Sequence, residues 1–194
     1  MHRLTVFLHQ EPTVSEKSPD RRIARTQNAL WSALQGLLQD QSWDDITIKM
    51  ICDGADVARS SFYAHFDTKL DLLDMGFSSV LAELMPLAER NTGPSKDYVT
   101  TNWLVDHILE NPGFFMRVSR SQSDVVLFTR FTKALENLLA HELDAMGKTT
   151  PSTTVTFCIG GAFAVVRDHI ETRAATAPAT LKARLADQVR KALP

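Results

Sequence analysis

The side chains best suited to binding a charged ligand lie close together between residues 59 and 69. Arg59 carries a forked guanidinium, which can pair with guanine O6 and N7 or with a phosphate. Tyr63 and Lys69 add a phenol and an ammonium, and such donors commonly contact phosphate oxygens. Together with other donors nearby, they define the candidate contacts to a nucleic acid: Arg21, Arg22, Arg25, Thr47, Lys49, Arg59, Ser60, Ser61, Tyr63, His65 and Lys69.

Each type of donor suits a different contact. We expect Arg59 to read a base, because its bidentate donors match one base edge. The small Ser60 and Ser61 would let a helix lie deep in a groove. Lys69 would clamp a phosphate, and the arginines at 21, 22 and 25 would reach the flanking backbone or the minor groove. The apolar residues between these donors are assigned to the core: Ile51, Val57, Phe62 and Phe66.

Three short helices and one longer helix must position these side chains. Apolar residues recur at helical spacing from Arg21 and stop before Ser42, which predicts the first helix. Thr47 is a candidate N-cap for a short helix to about Asp53, and the amides at the N-terminus of that helix would point toward a phosphate. Another short helix covers 59–65, and a longer one starts near 68, with Pro86 expected to bend or end it. This is the layout of a helix-turn-helix unit.

The residues of this unit strengthen that interpretation. The segment from Ile46 to Lys69, and above all its Phe-Tyr-x-His-Phe-x-x-Lys run, resembles the DNA-binding signature of the TetR family of transcriptional regulators. The resemblance extends over about residues 21–73 and implies that Tyr63 and His65 contact the DNA backbone. Asp56 stands where the family usually has the turn glycine, and aspartate tolerates a left-handed backbone better than most residues.

The rest of the chain has helical periodicity and no pattern typical of strands. We expect helices over 95–110, 114–120 and 125–146, then one opened by Thr150 as N-cap and running to 173, and a last one over 178–193. A turn cluster covers 91–94. The predicted fold is all-α with about nine helices, divided into a flexible arm at 1–19, the helix-turn-helix domain at 20–68 and an effector-binding and dimerisation domain at 69–194.

The family resemblance implies how this second domain works. A homodimer would form through helices 152–173 and 178–193, with Gly160 and Gly161 permitting close helix packing, and would place two recognition helices about 34 Å apart on a palindromic operator. A small molecule would bind between the central helices, and repression is the family's usual mode. The candidate pocket residues are Trp103, His107, Phe114, Phe115, Phe128, Phe131 and Phe157.

The composition limits the alternatives. The net charge is −2, and residues 20–70 carry six basic and seven acidic side chains, so DNA binding must depend on the placement of charges. A ligand-dependent protein-partner module that has lost operator binding is therefore the alternative function.

We expect no enzyme, since GxSxG, phosphate-loop and HExxH motifs are missing and the histidines show no i, i+4 pairing. Cys52 and Cys158 form no CxxC motif, and neither a cofactor, a metal, a membrane span nor a location outside the cytoplasm is expected.

Overall fold

The computed structural model describes residues 19–91 and 97–193, with side chains described from residue 21 onward. This part of the chain forms nine α-helices and two short 3-10 turns and no strand, which confirms the all-α prediction. The predicted arm at 1–19 lies outside the described residues except for Pro19, which opens the first helix. The helices are α1 (Pro19–Asp40), α2 (Ile48–Ala55), α3 (Arg59–Tyr63), α4 (Lys69–Arg90), α5 (Val99–Glu110), α6 (Pro112–Val118), α7 (Val125–Ala145), α8 (Ser152–Glu171) and α9 (Pro178–Ala192).

The chain divides into two compact units at Gly76 and Phe77, within α4. In the N-terminal unit α1 packs against α2, and α2 against α3. The helical spacing of Leu30, Leu34 and Leu38 on α1 gives a buried apolar stripe, as the sequence predicted. Phe62 of α3 is fully buried, so even this five-residue helix is fixed by its core side chain. The predicted division of function at residues 68 and 69 remains a proposal.

The C-terminal unit has its own core, built from α5, α7, α8 and α9. A buried carboxylate organises one end of it: Glu142 of α7 accepts hydrogen bonds from Val99 N at 2.6 Å and from Thr100 N at 3.1 Å. It also accepts from Thr100 Oγ1 at 2.8 Å and from Asn91 Nδ2 at 3.1 Å. Since the first amides of a helix have no partner within the helix, Glu142 serves as a distant cap for α5.

Two predicted helix boundaries need correction. Pro86 was expected to bend or end α4, and the helix does not end there but continues to Arg90, because Leu84 and Ala88 on either side of the proline are buried in the core with Leu138. Packing of both halves compensates for the one hydrogen bond that proline removes. Thr150 is not the N-cap of α8. Pro151 occupies that position, and the Thr150 hydroxyl donates to the carbonyl of Lys148 at 3.2 Å instead.

The predicted turn at 91–94 and the helix predicted over 95–110 fall partly outside the described residues. Of the predicted turn cluster at 91–94, only residue 91 is described, and the helix predicted from 95 begins at Val99. Pro178 opens α9 at its first turn, as predicted. Gly147 follows α7 with a positive φ of 72°, where the sequence predicted the end of the helical segment 125–146.

Candidate nucleic-acid interface

The turn between α2 and α3 has the geometry that the sequence predicted. Thr47 is the N-cap of α2, and its hydroxyl accepts from Met50 N at 3.2 Å. At the other end Asp56 has a left-handed backbone, with φ 54° and ψ 47°, and its amide donates to the carbonyls of Asp53 and Cys52. Asp56 therefore performs the task of a turn glycine, and the helix-turn-helix forms without one.

Exposed and buried side chains are cleanly separated on α3. Arg59, Ser60 and Tyr63 are exposed, the Tyr63 side chain to 55%. Phe62 and Phe66 are buried, and the Phe62 ring meets those of Tyr63 and Phe66 at centroid distances of 5.5 and 5.6 Å. The helix thus turns one polar, cation-bearing face outward and one aromatic face into the unit, which leaves the outward face available to a ligand.

The other predicted contacts are less uniform. Ser61 and His65 are half-buried. Lys49 is exposed but pairs with Asp53 one turn later, with Nζ and Oδ2 separated by 2.5 Å. Asp53 and Asp56 both lower the positive charge near the turn, and the pair with Lys49 neutralises Asp53. On the first turns of α1 the basic candidates are all exposed: Arg21, Arg22 and Arg25.

Lys69 lies at the start of α4 in a position that its predicted role did not suggest. Its Nζ donates to the carbonyl oxygens of Trp43 at 2.5 Å and Ile46 at 2.8 Å, and lies 4.6 Å from the centre of the Trp43 ring. Burial lowers the pKa of the Lys69 ammonium, whereas the carboxylates of Asp44 and Asp45 raise it. Two of its three donors are therefore committed within the protein.

Several candidate pocket residues come together in the C-terminal unit. Trp103 and His107 stack one turn apart on α5, with ring centroids 4.5 Å apart and planes inclined by 13°. Phe131 of α7 lies 5.5 Å from the His107 ring and 6.1 Å from the Trp103 ring. Two rings that the pocket prediction missed complete this aromatic cluster, which consists of Phe77, Trp103, His107, Phe115, Phe128, Phe131 and Phe163.

His107 is the one imidazole in this aromatic cluster. Desolvation by burial lowers its pKa from 6.5 to about 4. The ring is therefore neutral at pH 7 and offers one donor and one acceptor nitrogen among otherwise apolar surfaces.

The structure does not bring the other two pocket candidates into the aromatic cluster. Phe114 lies beside the guanidinium of Arg117, 5.3 Å from its carbon. Phe157 is 70% exposed on α8, while its neighbours Cys158 and Ile159 are buried. A ring so exposed cannot line an enclosed cavity of its own unit, so the pocket assignment of Phe157 is withdrawn.

Comparisons with known proteins agree with this geometry. Residues 32–74 match the family model described as bacterial regulatory proteins, tetR family. A TetR transcriptional regulator from Streptococcus agalactiae 2603V is similar in structure, with a TM-score of 0.59 and 20% identity over 88% of this chain and 96% of its own. A TetR transcriptional regulator from Rhodococcus sp. RHA1 gives a TM-score of 0.53 and 16% identity, over 88% of this chain and 97% of its own. RolR, solved with the ligand resorcinol, gives a TM-score of 0.50 and 17% identity over 90% of this chain and 90% of its own.

Residues 32–74 therefore match the model of a family of bacterial regulatory proteins, and the chain shares its fold with TetR transcriptional regulators. No curated protein sequence matches the chain. Within residues 19–91 and 97–193, no helix is long and apolar enough to cross a membrane.

Proposed function

We propose that the protein is a ligand-responsive repressor that binds a palindromic operator as a homodimer. The exposed polar face of α3 carries this proposal, because Arg59, Ser60 and Tyr63 face outward while Phe62 fixes the helix from behind. Arg59 would pair with a base in the major groove, and Tyr63 and His65 would contact the backbone. Thr47, Ser61 and the arginines of α1 would add phosphate or groove contacts that set the register.

The outward face of α8 supports the dimer. Phe157, Gly160 and Gly161 are exposed, and a Cβ added at either glycine would meet nothing within 4 Å. A large exposed ring next to a glycine notch is unusual on a monomer surface but suits a two-fold interface, in which the ring of one protomer fills the notch of the other. We assign Phe157 to this interface, formed by the segments 152–173 and 178–193.

The aromatic cluster supports effector binding. It consists of rings and one neutral imidazole, which suits a small apolar or aromatic molecule with one polar group. RolR, which shares the fold, was solved with resorcinol, a small aromatic molecule that carries two hydroxyl groups. Binding there would shift the regulator between states of different DNA affinity only as far as the ligand favours one of them.

The test is selection of duplexes from a random library by the purified protein at a fixed salt concentration. A symmetric consensus with two half-sites about one helical turn apart would support operator binding by a dimer. Recovery of unrelated sequences after repeated rounds would contradict it and favour the protein-partner alternative. The acidic balance of residues 20–70 makes this comparison necessary, since bulk charge does not promote DNA binding here.

A further inference from the structure

Lys69 links the two ends of the DNA-reading segment. Trp43 and Ile46, whose carbonyls accept from Lys69, lie immediately before α2, and Lys69 itself opens α4 immediately after α3. The bonds join residues 26 and 23 positions apart, so they close a loop that contains α2, the turn and α3. The ammonium also rests on the ring of Trp43, a residue that is only 4% exposed.

This location fits a structural contact better than a phosphate contact. A phosphate clamp needs an ammonium with donors directed to solvent, whereas two of the three Lys69 donors are directed at carbonyls of the protein. The Trp43 carbonyl also accepts from Ile46 N at 3.3 Å, so the ammonium adds a charge-assisted bond to a turn that is already closed. Desolvation lowers the lysine pKa, which is consistent with an ammonium withdrawn from solvent.

We propose that Lys69 is a positioning residue that fixes the orientation of α3 by tying the start of α4 to the carbonyls of Trp43 and Ile46. The inference rests on the proposed DNA binding and changes the role predicted for Lys69 from its place in the sequence. α3 has only five residues, too few to be stable alone, so its orientation depends on how its flanking segments are held. Loss of the bonds would loosen α3 and reduce base-specific contacts more than phosphate contacts.

The experiment compares Lys69→Met with the wild type and with Lys148→Met, which removes the same charge from an exposed lysine after α7. Each protein is titrated by fluorescence anisotropy on the duplex selected by the wild type and on a scrambled duplex, over a range of salt concentrations. We expect Lys69→Met to bind the selected duplex roughly tenfold more weakly, comparable to one mismatched base pair, with little change on scrambled DNA and an unchanged salt slope. Lys148→Met should match the wild type.

Two results would overturn the proposal. A slope reduced by about 0.9, with equal losses on both duplexes, would identify Lys69 as a phosphate contact. A lower melting temperature with unchanged binding of the folded protein would make it a stabilising residue only. If Lys69→Met does not fold, Lys69→Arg keeps the charge but not the compact ammonium, so retained wild-type discrimination in that variant would also count against the proposal.

Hydrogen exchange without DNA separates this inference from the proposed function. Amides in residues 46–63 should exchange faster in Lys69→Met than in the wild type, and unchanged exchange there would refute the positioning role. If the wild type itself shows no preference between duplexes, operator binding fails as a function, whereas the exchange result still decides whether Lys69 holds α3.

Discussion

Arg59 is the first residue of α3, and its exposed guanidinium has the donor geometry to read a base. Arg59→Ala should reduce the preference for the selected duplex over scrambled DNA by about 1–3 kcal/mol, because a bidentate base contact is lost. Arg22→Ala, on the exposed first turns of α1, should weaken both complexes similarly and lower the salt slope. Competition anisotropy distinguishes the two variants, and equal loss of preference in both would contradict the assignment of Arg59 to base reading.

His107 makes the stability of the protein depend on pH in a defined direction. Its pKa falls from 6.5 to about 4 on folding, so between these values the unfolded chain binds a proton that the folded chain does not. The neutral His107 ring therefore leaves the free energy of unfolding undiminished above pH 6.5. On acidification it lowers that free energy, by about 3 kcal/mol once pH 4 is reached. His107→Phe should remove this component of the pH dependence in urea unfolding at pH 7 and pH 4.5.

The matched control is His141→Gln, a change at a half-buried histidine that pairs with Glu89. It should retain the steep acid branch of the wild type. Identical pH profiles for His107→Phe and the wild type would mean that the imidazole is not buried in its neutral form.

At the level of elements, α1 and the start of α4 meet at a glycine. A Cβ on Gly76 would overlap the six-membered ring of Trp31, whereas a Cβ on Gly36 would meet nothing within 4 Å. Gly76→Ala should therefore lower the free energy of unfolding by about 1–3 kcal/mol through overpacking. Gly36→Ala should raise it by up to about 1 kcal/mol through helix propensity. Urea unfolding measures both, and a neutral Gly76→Ala would contradict the close approach.

The capping of α5 by Glu142 gives a second prediction for an element. The buried carboxylate accepts four hydrogen bonds, and Glu142→Gln replaces one acceptor oxygen by an amide that faces donors. We expect a loss of about 2–4 kcal/mol in the free energy of unfolding. Glu136→Gln, which removes the charge that pairs with the exposed Lys133, should cost less than about 1 kcal/mol. Equal effects would show that the cap contributes little.

Local patterns predicted the elements of this fold better than its long-range contacts. Thr47, Asp56 and the apolar stripe of α1 act within one or two turns, so their roles follow from spacing and residue type. Glu142 and Lys69 act on backbone groups 23 to 43 residues away, and no spacing rule specifies such partners. The place of Phe163 in the aromatic cluster was missed for the same reason. Only the packing of α8 shows that Phe163 is buried and Phe157 exposed.

The whole molecule should function as a dimer through α8 and α9. Phe157→Glu should shift the mass measured by light scattering from dimer to monomer, because a carboxylate replaces a ring in an apolar interface. Val125→Glu alters another exposed apolar residue, on α7, and should leave the dimer intact. A monomeric wild type, or a Phe157→Glu protein that remains dimeric, would contradict this interface.

Sequence-specific DNA binding is the central claim, and a competition titration tests it most directly. The wild-type protein is titrated on its selected duplex at about physiological salt, with scrambled duplex as competitor. The expected result is binding about a thousandfold tighter to the selected duplex, within the range of specific regulators. Equal affinity for both duplexes would contradict operator recognition by α3.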